Sequence, residues 1–152
     1  MATTTPLNGW PVPTSTDYVK DGATAIESLG DAIDASVGSG LLAWTSYTPV
    51  LTPTSGSITS YVINSAKYAK IGKTVHLAID TTITNNGTGS GQFNYTLPVN
   101  AKQINHGGGG IDATNGNSLS VFLVSATAVR VATYNYTYPG VTVRFSITYE
   151  AV

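Results

Sequence analysis

Residues Thr74–Thr84, with the sequence TVHLAIDTTIT, decide the fold class of this chain. Val75, Leu77 and Ile79 alternate here with polar or small residues, so that the apolar side chains fall on one side of an extended segment. Successive side chains of a β-strand point to opposite faces of its sheet, and β-branched residues favour such half-buried surfaces. The pattern therefore predicts a strand with one face in a hydrophobic core and His76 on the opposite, solvent or interface side.

The same two-residue period continues from Trp44 to the end of the chain, and it predicts seven further strands. These are Thr45–Leu51, Ile58–Asn64, Ala66–Ile71, Gln92–Leu97, Leu119–Ser125, Ala128–Tyr134 and Val141–Glu150. Ile71–Lys73 is predicted as a tight hairpin, and residues 85–91 are predicted as a loop. Additional core candidates are Val121 and Leu123 or their neighbours, and Val143, Phe145 and Ile147. Eight short strands predict a mainly β fold, an antiparallel β-sandwich or jelly-roll-like domain over residues 44–152.

The segment before Trp44 has the period of a helix. Apolar or small residues recur at spacings of three and four at Val19, Gly22, Ile26, Leu29, Ile33 and Ser36. This spacing predicts one short helix over residues 16–38, which begins at an N-cap formed by Thr16 or Asp17. Glycines at 38 and 40 are expected to end it.

A helix of this length is only marginally stable in water, and the sequence predicts no second helix for it to pack on. We therefore expect the helix to bury its apolar stripe against copies of itself or against another protein. The residues assigned to this oligomerisation are Val19, Ile26, Leu29 and Ile33. The alternative is a helix that lies on the sheet of its own chain.

Residues 1–15 consist largely of Thr, Pro and Gly, with isolated large side chains at Leu7 and Trp10. Such a composition favours extended or polyproline geometry and cannot form a core alone. We expect an extended arm that anchors the protein to a neighbouring surface through Leu7, Trp10, Pro11 and Pro13. The alternative is an arm that folds back on its own β domain.

Composition limits the partners. Charged residues make up only 10% of the chain and the net charge is −1, so that no nucleic-acid footprint is present. The charges are unevenly placed: residues 1–40 carry five acids and one base, whereas residues 41–152 carry three acids and six bases.

The absence of cysteine excludes a disulfide framework. The first residues lack signal-peptide character, and no apolar run has membrane-spanning length; we expect cytoplasmic synthesis without a membrane anchor.

The residues available for catalysis are few. After the helical segment the acids are Asp80, Asp112 and Glu150, and the only imidazoles are His76 and His106. No spacing among them matches a metal site, and no cofactor or metal is expected. A glycosidase pair of Asp80 with Asp112 or Glu150 is the enzymatic alternative. We expect a protein that is not an enzyme.

Two further patterns concern ligands. Four consecutive glycines, Gly107–Gly110, follow His106, but they do not link a predicted strand to a helix, so that a flexible surface loop is expected rather than a phosphate-binding loop. Tyr134, Tyr136 and Tyr138 alternate before a Pro-Gly turn. On a shared face these three rings would form an aromatic strip that can stack on sugars. The alternative is that they cover the sheet or pack between subunits.

Three stretches resemble segments of bacteriophage fibre and minor structural proteins. They are Pro11–Leu29 with Ala32–Asp34, then Ala43–Pro49 (AWTSYTP), and Tyr68–Val75 (YAKIGKTV). In that family the segments are trimeric, and a helical collar precedes a β knob. The resemblance covers roughly half of the chain and agrees with the architecture inferred from the residues.

The resemblance implies a structural component on the surface of a phage virion, a homotrimer whose partners are capsid or tail proteins. In long tail fibres this unit sits at the end of a large protein, whereas here only an arm precedes it. We therefore expect a capsid decoration protein or short head fibre, with the arm docked on the shell and the β knob exposed. The alternative is a tail-fibre or tail-tip protein that binds host cell-surface carbohydrate through the tyrosine strip.

Overall fold

The computed structural model describes residues 3–6, 9–14, 18–40, 43–132 and 140–152. The chain divides into two compact units, Met1–Ala43 and Trp44–Val152. The first unit contains the strands β1 (Thr3–Thr4) and β2 (Pro11–Val12) and the helix α1 (Val19–Gly40). The second unit contains nine strands. They are β3 (Thr45–Ser46), β4 (Leu51–Ser55), β5 (Ser60–Ile71), β6 (Thr74–Asn85), β7 (Ser90–Thr96), β8 (Gly107–Asp112), β9 (Ser118–Ser125), β10 (Ala128–Ala132) and β11 (Val141–Glu150).

In the first unit, the arm contains a small hairpin. Strands β1 and β2 pair antiparallel, with Thr3 opposite Val12 and Thr4 opposite Pro11. The backbone N–H of Thr5 donates to the carbonyl of Trp10 at 2.8 Å, and Gly9 adopts φ +65°, a conformation that favours glycine. Strand β2 lies against α1. The arm thus packs on the helix of its own chain, an arrangement that the sequence did not indicate.

The predicted helix is present, but it continues to Gly40 instead of ending before the glycines. Glycine can adopt helical backbone angles at a cost of about 1 kcal/mol relative to alanine, so that two glycines do not by themselves stop a helix. The predicted N-cap residues Thr16 and Asp17 lie outside the described residues.

The second unit confirms the predicted mainly β, antiparallel fold. Its strands form one sheet in the order β3-β5-β6-β11-β8-β9-β10-β7-β4. The outermost strands, β3 and β4, belong to one stretch of chain, because Thr45–Ser46 pair with β5 and Leu51–Ser55 pair with β7. The sheet therefore curls until this stretch links its first and last strands.

The concave side of the curled sheet holds a single hydrophobic core. All eight core candidates named from the sequence are buried, with exposed fractions of 5% or less. Strands β7, β9 and β10 contribute the facing side chains, among them Phe93, Tyr95, Val129 and Val131. The rings of Tyr95 and Phe145 are 5.0 Å apart across this interior. Two halves of one sheet thus cover each other, as the two sheets of a sandwich would.

Strand β8 corrects the prediction of a flexible loop at His106–Gly110. Gly107–Asp112 pair with β11 on one side and with β9 on the other. A Cβ atom at Gly110 would lie 2.6 Å from the carbonyl oxygen of Arg144 and 2.7 Å from Cβ of Phe145. A Cβ atom at Gly108 would overlap the carbonyl oxygen of Ser146 and lie 3.0 Å from Cα of Ile147. Glycine is needed here because β11 approaches the backbone of β8 too closely for any side chain.

The predicted strand Thr45–Leu51 is wrong: residues 47–50 lie outside any strand, because this stretch crosses from its pairing with β5 at Thr45–Ser46 to the pairing with β7 that begins at Leu51. The other predicted strands differ mainly at their ends. Ile58–Asn64 and Ala66–Ile71 are one strand, β5, with an irregularity between Ile63 and Ser65. The predicted hairpin is confirmed: Gly72 and Lys73 connect β5 to β6, and Gly72 has φ +57°. Within the predicted loop 85–91, residues from Ser90 onward already belong to β7. The predicted strand Ala128–Tyr134 is seen as far as Ala132, and its remainder lies outside the described residues.

Candidate functional site

Helix α1 carries two parallel stripes of small or apolar residues rather than one. The first, called here the arm-side stripe, is half-buried at its first four positions and contains Gly22, Ala25, Leu29, Ala32 and Ser36. The second, called here the exposed stripe, lies about 100° around the helix, given 3.6 residues per turn. It contains Ala23, Ile26, Gly30, Ile33 and Val37. Both follow the alternating spacing of three and four that is typical of helix packing.

The arm-side stripe is in contact with the arm through Trp10. The indole Nε1 of Trp10 donates a hydrogen bond to Oγ of Ser36 at 3.0 Å, and this hydroxyl donates in turn to the carbonyl of Ala32 at 2.8 Å. Trp10 is half-buried as a result. Among the other residues assigned to anchoring, Pro11 is half-buried in β2, Pro13 is exposed and Leu7 lies outside the described residues. An anchoring role for them stays a prediction.

The exposed stripe carries large apolar side chains in solvent. Ile26, Ile33 and Val37 are exposed by 64%, 37% and 51%. Of the four residues assigned to oligomerisation, Ile26 and Ile33 belong to this stripe, whereas Leu29 belongs to the arm-side stripe. The spacing places Val19 on the exposed stripe, although its side chain lies outside the described part of the structure. The structure thus divides the predicted stripe between two surfaces.

The β unit has an open cavity of about 400 Å³ on its convex face, called here the outer trough. Its floor crosses three neighbouring strands at Ala78 (β6), Ser146 (β11) and Gly109 (β8), which stand opposite one another in the sheet register. Lys67 of β5 stands opposite Ala78 at one end of this row. The neighbouring row contains Asp80, Arg144 and Ile111, whose longer side chains form a wall.

Charged side chains in the outer trough are held in defined positions. Nε of Arg144 donates to Oδ2 of Asp80 at 2.8 Å, and Nδ2 of Asn64 donates to Oδ1 of the same carboxylate at 2.8 Å. Nζ of Lys67 lies over the ring of Trp44, 5.0 Å from its centroid. Trp44 also meets His76 edge to face at 5.6 Å. The lining holds two cations, Lys67 and Arg144, and one anion, Asp80. Asp80 is paired with Arg144, and among the described residues no carboxylate is ion-paired with Lys67.

The three carboxylates considered for a glycosidase pair lie in separate surroundings. Asp80 is on the convex face, whereas Asp112 is fully buried and accepts hydrogen bonds from the backbone of Thr114 and from Nδ2 of Asn115. Glu150 accepts a hydrogen bond from Nζ of Lys102 at 2.9 Å, which lowers the pKa of Glu150. Asp80 and Asp112 belong to opposite faces of the sheet, so that they do not form a catalytic pair.

The two histidines lie in different surroundings. His76 is exposed on the convex face, as its alternation with Val75 and Leu77 predicted. His106 is half-buried, and its Nε2 accepts from the backbone N–H of Glu150 at 3.5 Å. Tyr134, Tyr136 and Tyr138 lie outside the described residues, so that the tyrosine strip stays a prediction. Within the described ranges, no three metal-binding side chains lie close enough to hold an ion, and no helix is long and apolar enough to cross a membrane.

Comparison with known proteins found no matching family model, no matching curated protein and no matching solved structure.

Sequence reasoning did not find the outer trough. The alternation in β6 and β11 places Ala78, Asp80, Arg144 and Ser146 on one face, and this signal was available in the sequence. The missing part was Gly109, because the four glycines give no periodic pattern from which a strand or its register can be read. Ala78 and Ser146 mark the row of small residues on β6 and β11, but its third member, Gly109, could not be placed without the register of β8.

Proposed function

We propose that this chain is a non-enzymatic structural protein of a bacteriophage virion, a homotrimer whose helices associate and whose β unit is displayed on the particle surface. The observation that carries the proposal is the exposed stripe of α1. Three large apolar side chains, Ile26, Ile33 and Val37, lie there in solvent in the described chain. Apolar surface concentrated along one helix face is typical of an association surface.

The spacing of the exposed stripe supports association between helices. Residues 23, 26, 30, 33 and 37 follow the three-and-four pattern by which one helix inserts side chains between those of a parallel partner. Ala23 and Gly30 alternate with the larger residues and allow close approach of the backbones. The acids Glu27, Asp31 and Asp34 lie elsewhere on the helix circumference, where they stay hydrated.

The arm leaves this surface free in the first unit. Trp10 donates to Ser36 of the arm-side stripe and β2 contacts α1, so that the helix has one partner within its own chain. The exposed stripe is left for a partner of the same kind, which a helix of 22 residues needs for full stability. The virion assignment itself rests on the resemblance of Pro11–Leu29, Ala43–Pro49 and Tyr68–Val75 to phage fibre proteins.

The assembly is tested by replacing Ile26 and Ile33 with aspartate in one variant. Buried, unpaired carboxylates at the seam would outweigh the apolar contacts. We expect sedimentation equilibrium to give three chain masses for the wild type and one for the variant. The matched control carries aspartate at Thr24 and Ser28, two exposed positions outside both stripes, and should stay trimeric. A double variant at Ile26 and Ile33 with the wild-type mass would contradict association through this stripe.

The virion role is tested by immunogold labelling of intact particles with an antibody against the β unit. Gold over the head is expected for a decoration or head-fibre protein, and gold confined to the tail end would instead support the tail-fibre alternative. Unlabelled particles in a lysate that contains the chain would contradict a virion role altogether.

A further inference from the structure

The outer trough has the shape and size of a site for a small ligand. Its volume of about 400 Å³ falls within the range of roughly 300–1,000 Å³ that is usual for such sites. The wall formed by Asp80, Arg144 and Ile111 rises beside the floor of Ala78, Ser146 and Gly109. A ligand on this floor can approach the backbone of β8 directly, because Gly109 carries no side chain.

The charge of the lining indicates the sign of the ligand. Asp80 already accepts from both Arg144 and Asn64, so that its negative charge is compensated. Lys67 has no carboxylate partner among the described residues, and its ammonium group is held over Trp44. One positive charge is therefore available to a ligand at the end of the trough. A negatively charged substituent would form a charge-assisted hydrogen bond with it.

The other groups of the lining suit a hydroxylated ring. Ser146 is exposed and can donate or accept, and the Asp80–Arg144 pair presents both an acceptor and donors. Trp44 does not line the trough, and its ring positions Lys67 at the end of the floor. Donors and acceptors together, beside a floor of small residues, fit a hydroxylated sugar ring better than a purely apolar molecule.

We propose that the outer trough binds a sugar that carries a carboxylate or phosphate group, with Lys67 on the charged substituent and Ser146 and Asp80 on the hydroxyl groups. This site lies within the β unit and does not depend on the helical assembly proposed above. It would add recognition of an acidic glycan to a structural role, and it is separate from Tyr134, Tyr136 and Tyr138.

The test is a titration of the full-length, isotopically labelled protein, followed by amide chemical shifts. The probes are glucuronic acid, N-acetylneuraminic acid and glucose 6-phosphate, with glucose and galactose as uncharged controls. We expect saturable shifts of the amide signals of Lys67, Gly109 and Ser146 with at least one acidic probe. The affinity for glucose and galactose should be weaker by about tenfold or more, and tenfold corresponds to about 1.4 kcal/mol of binding free energy. Carboxylate and phosphate probes distinguish the two sources of charge.

Three variants make the result specific to the trough. Gly109→Leu should abolish binding, because a Cβ at Gly109 meets no atom within 4 Å and the larger side chain fills the floor without disturbing the sheet. Lys67→Gln should weaken binding about tenfold. Thr74→Leu, on an exposed position of β6 outside the trough, should bind like the wild type.

Several outcomes would overturn the proposal. They are the absence of saturable shifts with every acidic probe at millimolar concentration, equal affinity for the uncharged sugars, and wild-type binding by both Gly109→Leu and Lys67→Gln. Thermal unfolding and sedimentation of the Gly109→Leu variant separate loss of the site from loss of the fold or of the assembly.

Discussion

Oγ1 of Thr81 and Oη of Tyr95 lie 2.8 Å apart in a hydrogen bond that crosses the core of the β unit. Thr81 belongs to β6 and Tyr95 to β7, which stand five places apart in the order of the sheet. Both residues are fully buried. The bond therefore joins the two halves of the curled sheet, and burial of the phenol raises the pKa of Tyr95 well above its usual range.

We expect Tyr95→Phe to lower the free energy of unfolding by about 1–3 kcal/mol, because it leaves the buried hydroxyl of Thr81 without its partner. Thr81→Val should lower the free energy of unfolding by a similar amount, because it leaves the buried hydroxyl of Tyr95 without its partner. The double variant should be more stable than the sum of the single losses predicts, since both polar groups are then gone. Urea unfolding of the four proteins measures the coupling. Strictly additive losses would show that the bond carries no interaction energy.

The glycines of β8 give a second prediction, on a pair of adjacent residues. A Cβ at Gly110 would overlap the backbone of β11, whereas a Cβ at Gly109 meets open space. Gly110→Ala should therefore destabilise the fold by about 1–3 kcal/mol, as other overpacked substitutions do. Gly109→Ala should be neutral or stabilising by up to about 1 kcal/mol, because alanine restricts the unfolded chain.

Thermal unfolding of the two alanine variants beside the wild type checks this prediction. Similar midpoints for Gly109→Ala and Gly110→Ala would indicate that β8 is not packed against β11 as closely as the distances require. The same two variants also test whether the glycine run is a strand, since a flexible loop would tolerate alanine at both positions.

Asp112 gives a third prediction, on the turn between β8 and β9. Its buried Oδ1 accepts from the backbone N–H groups of Thr114 and Asn115, at 2.9 Å and 3.1 Å, and its Oδ2 accepts from Nδ2 of Asn115. Asp112→Ala should cost about 1–3 kcal/mol or more, because these donors lose their acceptor. Asp80→Ala is the matched control. Its exposed ion pair with Arg144 should be worth about 1 kcal/mol or less.

Urea unfolding at neutral pH compares these two aspartate variants. A larger loss at Asp80 than at Asp112 would contradict the structural role assigned to the buried carboxylate.

The sequence was sufficient for those elements whose side chains alternate. Thr74–Thr84 and Val141–Glu150 predicted their strands and their buried faces, since a half-buried sheet imposes a period of two. Two features had no such pattern. Gly107–Gly110 have no side chains to alternate, and their pairing depends on the close approach of β11, which only the folded chain shows. Trp10 and Ser36 are separated by 26 positions, so that no local spacing relates them.

The same reasoning explains what was predicted of the two candidate sites. The spacing of three and four predicted an apolar helix stripe, but it could not show that Leu29 is half-buried and Ile26 exposed, because the arm packs on the helix through contacts that are distant in sequence. The outer trough depends on register across four strands, and one of them is the glycine strand.

The buried tyrosines give the fourth prediction, on pH. Burial raises the pKa of Tyr149 to about 12, although its hydroxyl donates to the carbonyl of Val99 at 2.8 Å, and burial also raises the pKa values of Tyr47 and Tyr95. In the unfolded chain these phenols ionise near pH 10. Between these pH values the folded state holds more protons than the unfolded state, so that the contribution of the tyrosines to stability is constant below about pH 10 and falls as the pH rises above it.

Urea unfolding at a series of pH values from about 8 to about 11 measures this dependence against the reference pKa of tyrosine. We expect the unfolding midpoint to decline more steeply in the wild type than in Tyr149→Phe, because the variant has one fewer group that must lose its proton on unfolding. The loss of the hydrogen bond to Val99 lowers the variant's stability by the same amount at every pH. The quantity to compare is therefore the slope of the unfolding midpoint against pH. All other titratable groups are the same in both proteins and cancel in the difference. Parallel declines would mean that Tyr149 ionises equally readily in the folded and unfolded chains, which a phenol enclosed in the core cannot do.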